Sequence, residues 1–190
     1  KPIDDESSHM YGSFIFFQYI DEHLGGYETI KNIWERSRSN ANSVNDVSFT
    51  SINEALESVG SSFSGALNNM RIANRIMSSH PNANPFTYLE AESYPVTGPL
   101  EIAQLYFENQ IIEYYQNYLA VNSANYIKLD LVAPAKISIS ILDGYVDDLF
   151  HAIVFKHKDR DAWTIRSGNN FNIDPSVDID WATIIINTQS

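Results

Sequence analysis

The sequence predicts an α+β protein: an N-terminal α-helical subdomain over residues 1–124, followed by an antiparallel β-sandwich over 125–190. Three observations predict it. All eleven Glu residues lie at or before Glu113, whereas Asn125 to Ser190 holds nine Asp and no Glu. Glu favours helix interiors and Asp favours turns and caps, so the acids alone record a change from helix to strand. Hydrophobic spacing changes with them, from near-helical before residue 80 to two-fold from Tyr126 onward.

Taken in order, Tyr11, Phe14, Ile15, Ile20 and Leu24 approximate one face of a helix that ends at Gly25-Gly26. Glu28 to Arg38 reads as a second helix with Ile30, Ile33 and Trp34 on one side, and the Ser/Asn-rich stretch Arg38 to Ser48 as a loop. Ser51-Ile52-Asn53-Glu54 has the spacing of a capping box, a hydroxyl with Glu three residues on, and so predicts a helix start there. Gly60-Ser61-Ser62 breaks that helix. A longer one follows from Ser62 to Ser78, with Phe63, Ala66, Leu67, Met70, Asn74 and Met77 as its inner stripe. His80 to Pro99 holds four of the seven prolines and reads as an irregular connection with a short strand near Tyr88 to Ser93. Ile102 to Tyr115 fits helix or strand.

Ile127, Leu129 and Leu131 then alternate with polar neighbours, and Ile137, Ile139 and Ile141 repeat the pattern after Ala133-Pro134. Phe150–Lys156, Ala162–Arg166 and Ala182–Asn187 add three strands separated by Asp/Gly/Asn turns. Five strands at this spacing predict the sandwich.

Charge and composition exclude whole classes of function. Twelve basic residues against 24 acidic ones leave a formal charge of −12, with no local Lys/Arg cluster, which opposes binding to nucleic acid or anionic lipid. No apolar run approaches a membrane span. Cysteine is absent, so disulfides, thiolate catalysis and Cys-ligated zinc fall together.

Candidate chemistry centres on the histidines and clustered acids. None of His9, His23, His80, His151 and His157 has a second His four residues away, so the helical zinc pair of metallopeptidases is missing. Asp21-Glu22-His23 sits near a helix end, where His meets free carbonyls. His151 and His157 share strand parity about 20 Å apart, too far for one metal. Asp143, Asp147 and Asp148 bracket one turn, and Asp174, Asp178 and Asp180 another. Calcium is the ligand such clusters would take, but turn chemistry accounts for both, and neither has EF-hand spacing. Glu90 and Glu92, beside Tyr94, would share a face about 7 Å apart on an extended segment, either as an acid–base pair or as solvated surface acids. Tyr114, Tyr115 and Tyr118 fit either a core seam or a carbohydrate-stacking platform. There is no Gly-x-Ser-x-Gly elbow and no phosphate loop. The reading assigns no catalytic, cofactor-binding or metal residue.

The stretch Tyr11-Gly12-Ser13-Phe14-Ile15-Phe16-Phe17-Gln18-Tyr19-Ile20, then Leu24-Gly25-Gly26, then Ile30-Lys31-Asn32-Ile33-Trp34-Glu35, resembles a segment of secreted gluzincin-like zinc metalloproteases of the myxobacterial type. Phe63 to Asn74 resembles the downstream helix of that family, with Leu67 where an aromatic is expected. The resemblance implies an extracellular or cell-surface protein whose zinc ligands and general base lie before the Tyr11 region, on a His-Glu-x-x-His helix. No catalytic residue carries over to this chain, and zinc is expected only with such an upstream helix. The expectation is therefore a catalytically incomplete C-terminal portion of a metallopeptidase-like protein. The alternatives are an extracellular module binding protein, peptide or glycan, and a structural cell-surface protein.

Overall fold

The computed structural model describes residues 14–41, 47–95, 98–106, 112–114, 119–131, 136–142, 149–174 and 178–188. Four helices come first: α1 (Phe14–His23), α2 (Gly26–Asn40), α3 (Val47–Glu57) and α4 (Phe63–Ile76). Two 3₁₀ turns follow, at Pro81–Ala83 and Ala91–Ser93. The strands are β1 (Ala103–Tyr106), β2 (Ala124–Asp130), β3 (Ile137–Ser140), β4 (Leu149–His157), β5 (Trp163–Ser167), β6 (Asn170–Ile173) and β7 (Ile179–Thr188). By compactness the chain divides inside α4, between Met70 and Arg71. The compositional boundary at 124/125 falls where β2 begins.

In the helical unit, α1 ends where expected. Gly25 and Gly26 both have positive φ (91° and 67°), and a Cβ on Gly25 would run into Thr29 Oγ1. The inward face of α1 differs from expectation. Phe16, Tyr19 and Ile20 are buried and Phe14 is exposed, while Tyr11 lies outside the described residues. Apolar residues at 14–17 and 19–20 leave more than one stripe open, and the i, i+3, i+4 set is the one that packs. On α2, Ile33 is buried but Trp34 is exposed.

The capping box at Ser51 is also corrected. Helix α3 starts at Val47, Ser51 is buried one turn inside it, and Glu54 Oε2 accepts from Arg36 Nη1 at 3.2 Å and from Asn40 Nδ2 at 3.1 Å. A hydroxyl-x-x-Glu spacing occurs within helices as readily as before them, and only non-helical backbone at the hydroxyl makes it a cap. The capping hydroxyl that does form is Ser62, whose Oγ accepts from Gly65 N at 3.0 Å at the head of α4. Phe63, the first residue of α4, packs edge-on against Phe16 and Phe49, with ring centroids 5.5 and 4.9 Å away.

The sheet unit begins with the last turns of α4 and contains a five-stranded sheet in the order β1-β2-β7-β4-β5, with a separate two-stranded ribbon of β3 and β6. Strand β1 runs parallel to β2, and every other pair is antiparallel. The expected antiparallel sandwich is thus replaced by a mixed sheet. Two strands explain the difference. Strand β1 sits in the ambiguous Ile102–Tyr115 stretch, and β6 (Asn-Phe-Asn-Ile) is too polar and short to stand out as the partner of β3.

The central strands show why the sheet folds this way. Along β4, Ile153 and Phe155 join a core with Ile127, Leu129, Ile184, Ile137, Phe171 and Ile173, the last three from the ribbon. The intervening Ala152 and Val154 join a second core with Tyr126, Ile185 and, from α4, Ile72 and Ile76. One face is therefore covered by the ribbon and the other by the end of α4, which is why Ala152 to Phe155 is continuously apolar. Ile72 and Ile76 were not in the expected inner stripe of α4, and Asn74 and Met77, which were, are only half-buried.

Candidate ligand cleft

The residues marked out by sequence do not converge. His9, Asp143, Asp147, Asp148, Tyr115 and Tyr118 lie outside the described residues. His23, at the end of α1, stacks on Tyr19 with ring centroids 4.8 Å apart. His80 caps the first 3₁₀ turn, its Nδ1 accepting from Asn82 N at 3.2 Å. His151 is buried, with Nδ1 3.0 Å from Asn169 Oδ1. His157 is held on both sides: Arg160 Nη2 donates to Nδ1 at 3.2 Å, which places the proton on Nε2 and makes it the donor to Thr164 Oγ1 at 2.9 Å.

Among the acids, Glu90 and Glu92 are not on an extended segment. Glu90 precedes and Glu92 lies within the 3₁₀ turn Ala91–Ser93, which replaces the expected short strand. Glu92 Oε1 accepts from Ser79 N at 3.0 Å, and that bond holds the carboxyl below its ordinary range. Asp178 pairs with Lys158 at 3.6 Å. Tyr114 is exposed. Among the described residues, no three His, Asp or Glu side chains are grouped so as to hold a metal ion, and no helix is long and apolar enough to cross a membrane.

What the fold does bring together lies in the sheet unit and had not been marked out. Lys156 on β4 pairs in register with Trp163 on β5 and with Trp181 on β7, so Trp181, Lys156 and Trp163 form one row across three strands. Directly cross-strand residues project to the same face. This row, with Arg75, Tyr94 and Asp161, lines a cleft of about 390 Å³. Both indoles are half-buried and pack on the core that contains Ile76 and Val154.

Arg75 anchors one wall. Its Nε donates to Thr183 Oγ1 at 2.7 Å, its Nη2 pairs with Glu101 Oε1 at 3.1 Å, and its guanidinium lies 3.7 Å from the centre of the Trp181 ring. Burial lowers its pKa, with the Glu101 carboxylate opposing that shift. Arg71, one turn earlier, is buried and also lowered, to about 10, by desolvation. It donates to Thr188 O at 3.4 Å, while its own carbonyl accepts from Tyr126 Oη at 3.1 Å. The Trp163 indole N–H is buried with no acceptor among the described residues.

The available signal was that each tryptophan stands just after an Asp pair, Asp159/Asp161 and Asp178/Asp180, near a strand start. Their convergence depends on β5 and β7 flanking β4, which local pattern does not encode. No protein-family model, curated protein or solved structure matches the chain.

Proposed function

We propose that this chain is a non-catalytic binding portion of a larger extracellular protein, and that its C-terminal unit holds the ligand in the Trp163/Trp181 cleft. The observation that carries this reading is the cross-strand row Trp181–Lys156–Trp163 beside Arg75. It joins aromatic surface to charged groups in a concave site of the size that small ligands occupy. Most of the other polar side chains followed above are held within the fold: His157 by Arg160 and Thr164, Glu92 by Ser79, and Asp178 by Lys158. Two measurements test the reading together. Incubating the chain with casein and zinc should release no peptide, and robust chelator-sensitive proteolysis would overturn it. Saturable quenching of tryptophan fluorescence by a hit from a combined glycan and peptide array is the positive half.

The second reading is the catalytically incomplete C-terminal part of a gluzincin-like metallopeptidase. It is supported by the segment from Tyr11 to Glu35 and its downstream helix. Phe16, Tyr19, Ile20 and Ile33 from that segment are the buried stripes of α1 and α2. Any packed helix pair needs such stripes, so the geometry favours the binding reading. A His-Glu-x-x-His helix encoded upstream of Lys1 in the gene would restore the metallopeptidase reading to first place.

A further inference from the structure

Resting on the binding reading above, we infer that the cleft takes an uncharged sugar chain. Some of its charges are already committed. Arg75 is satisfied by Glu101, Thr183 and the face of Trp181, and Glu92 has one oxygen on the Ser79 amide. Two charged groups remain open. Neither the Lys156 ammonium nor the Asp161 carboxylate has an ion-pair partner among the described residues, although both line the cleft.

One open cation and one open anion lining the same cleft select by charge. A phosphate or polyanion attracted to Lys156 would meet Asp161 and Glu92 in a chain of net charge −12, and a polycation would meet Lys156 and Arg75. An apolar ligand would bury both charges unpaired, at a cost greater than its own burial returns. Hydroxyl groups answer both sites, because each accepts from an ammonium and donates to a carboxylate. The half-buried Trp163 and Tyr94 supply the remaining wall, against which the C–H face of a sugar ring packs as apolar surface. Neighbouring strands are about 4.8 Å apart, so Trp163 and Trp181, two strands apart, stand about 10 Å from each other. Trp181 carries Arg75 on its ring, so stacking falls on the Trp163 side and hydrogen bonding on the Lys156 and Asp161 side.

The test uses the whole chain on an array of neutral oligosaccharides, acidic oligosaccharides and unmodified peptides, followed by fluorescence titration of the hits. The inference expects neutral oligosaccharides to bind, with Asp161→Asn and Lys156→Gln each weakening binding by roughly tenfold while the thermal melt is unchanged. Trp163→Phe, which keeps an aromatic wall at a position packed on the core, should weaken it less. If acidic glycans or peptides bind instead, and Asp161→Asn or Lys156→Gln alters that binding, the ligand class is wrong and the cleft reading stands. If neutral glycans bind but both substitutions leave affinity unchanged, the sugar is held elsewhere and the inference fails. If nothing on the array binds, the inference and the binding reading fail together.

Discussion

Helices α1 and α2 of the N-terminal unit turn one stripe inward and leave Phe14, Tyr27 and Trp34 to solvent, whereas β4 and β7 of the C-terminal unit are covered on both faces. The buried set of the helical unit is mainly apolar: Phe16, Tyr19, Ile20, Leu56, Phe63 and Leu67, with Thr29, Ser51 and Asn68 as its buried polar residues. The sheet unit buries Arg71, His151, Thr183, Asn187 and Thr188 among others. Polar groups hidden from water need partners inside the protein. The sheet unit supplies many of them, through bonds such as Arg71 to Thr188 and Arg75 to Thr183, and leaves the Trp163 N–H without one among the described residues. The network that stabilises the sheet unit also fixes one wall of the cleft, through Arg75. The helical unit buries fewer polar side chains among the described residues.

The largest expected effect tests the doubly covered strand. Ile153 is fully buried at the centre of β4, opposite Ile184 on β7. Ile153→Ala should cost about 2–5 kcal/mol. Urea unfolding followed by tryptophan fluorescence reads this unit well, because Trp163 and Trp181 are half-buried in it while Trp34 of α2 is already exposed. A loss under about 1 kcal/mol would show that β4 is not packed on both faces.

Next comes a pH effect with the same sign in both units. Burial pushes the Tyr19 phenol up to about 12, partly offset by a bond with Asn69, and burial likewise raises Tyr126 in the sheet unit. The unfolded chain releases these protons near pH 10 and the folded chain does so later. The unfolded state therefore binds fewer protons in that window, and stability, intact below pH 10, falls as pH rises from 10 towards 12. For Tyr19 the loss should reach about 2–3 kcal/mol. Tyr19→Phe should flatten that part of the curve for the helical unit, as read by far-ultraviolet circular dichroism during denaturation. An unchanged slope would show that the phenol is not buried.

The helix and strand elements were legible where periodicity was clean, and obscure where a run allowed two solutions. Gly25-Gly26 and Gly60-Ser61-Ser62 were readable as breaks because few backbones other than a turn use such residues. The inward face of α1 was not readable, because six apolar residues crowd into positions 14–20. The mixed sheet was hidden because β1 pairs with β2 across a long stretch of sequence, and parallel pairing leaves no local turn signature. Arg75 and Trp181 are 106 positions apart; strand order brings Trp181 and Trp163 to either side of β4, and the packing of α4 on the sheet brings Arg75 to them. Neither His nor Asp spacing marks them.

A smaller effect probes the glycine pair of the helical unit. Gly25→Ala places a Cβ against Thr29 Oγ1 at a positive φ, so it should destabilise α1–α2 by about 1–3 kcal/mol, seen as a lower urea midpoint in circular dichroism. The smallest effect belongs to the sheet unit. Glu101→Gln removes the charge that pairs with Arg75, on a side chain still partly open to water. It should cost about 0.5–1 kcal/mol, reduced further at high salt. A loss several times larger would mean that Arg75 depends on Glu101 more than on Thr183 and Trp181.

The most direct test of the central claim follows one ligand through one experiment. The chain is titrated with its array hit under tryptophan fluorescence, and the ligand is then recovered and weighed by mass spectrometry. A binding portion built on the Trp163/Trp181 cleft predicts saturable quenching and a ligand of unchanged mass. A ligand recovered shortened or modified in proportion to incubation time would contradict it.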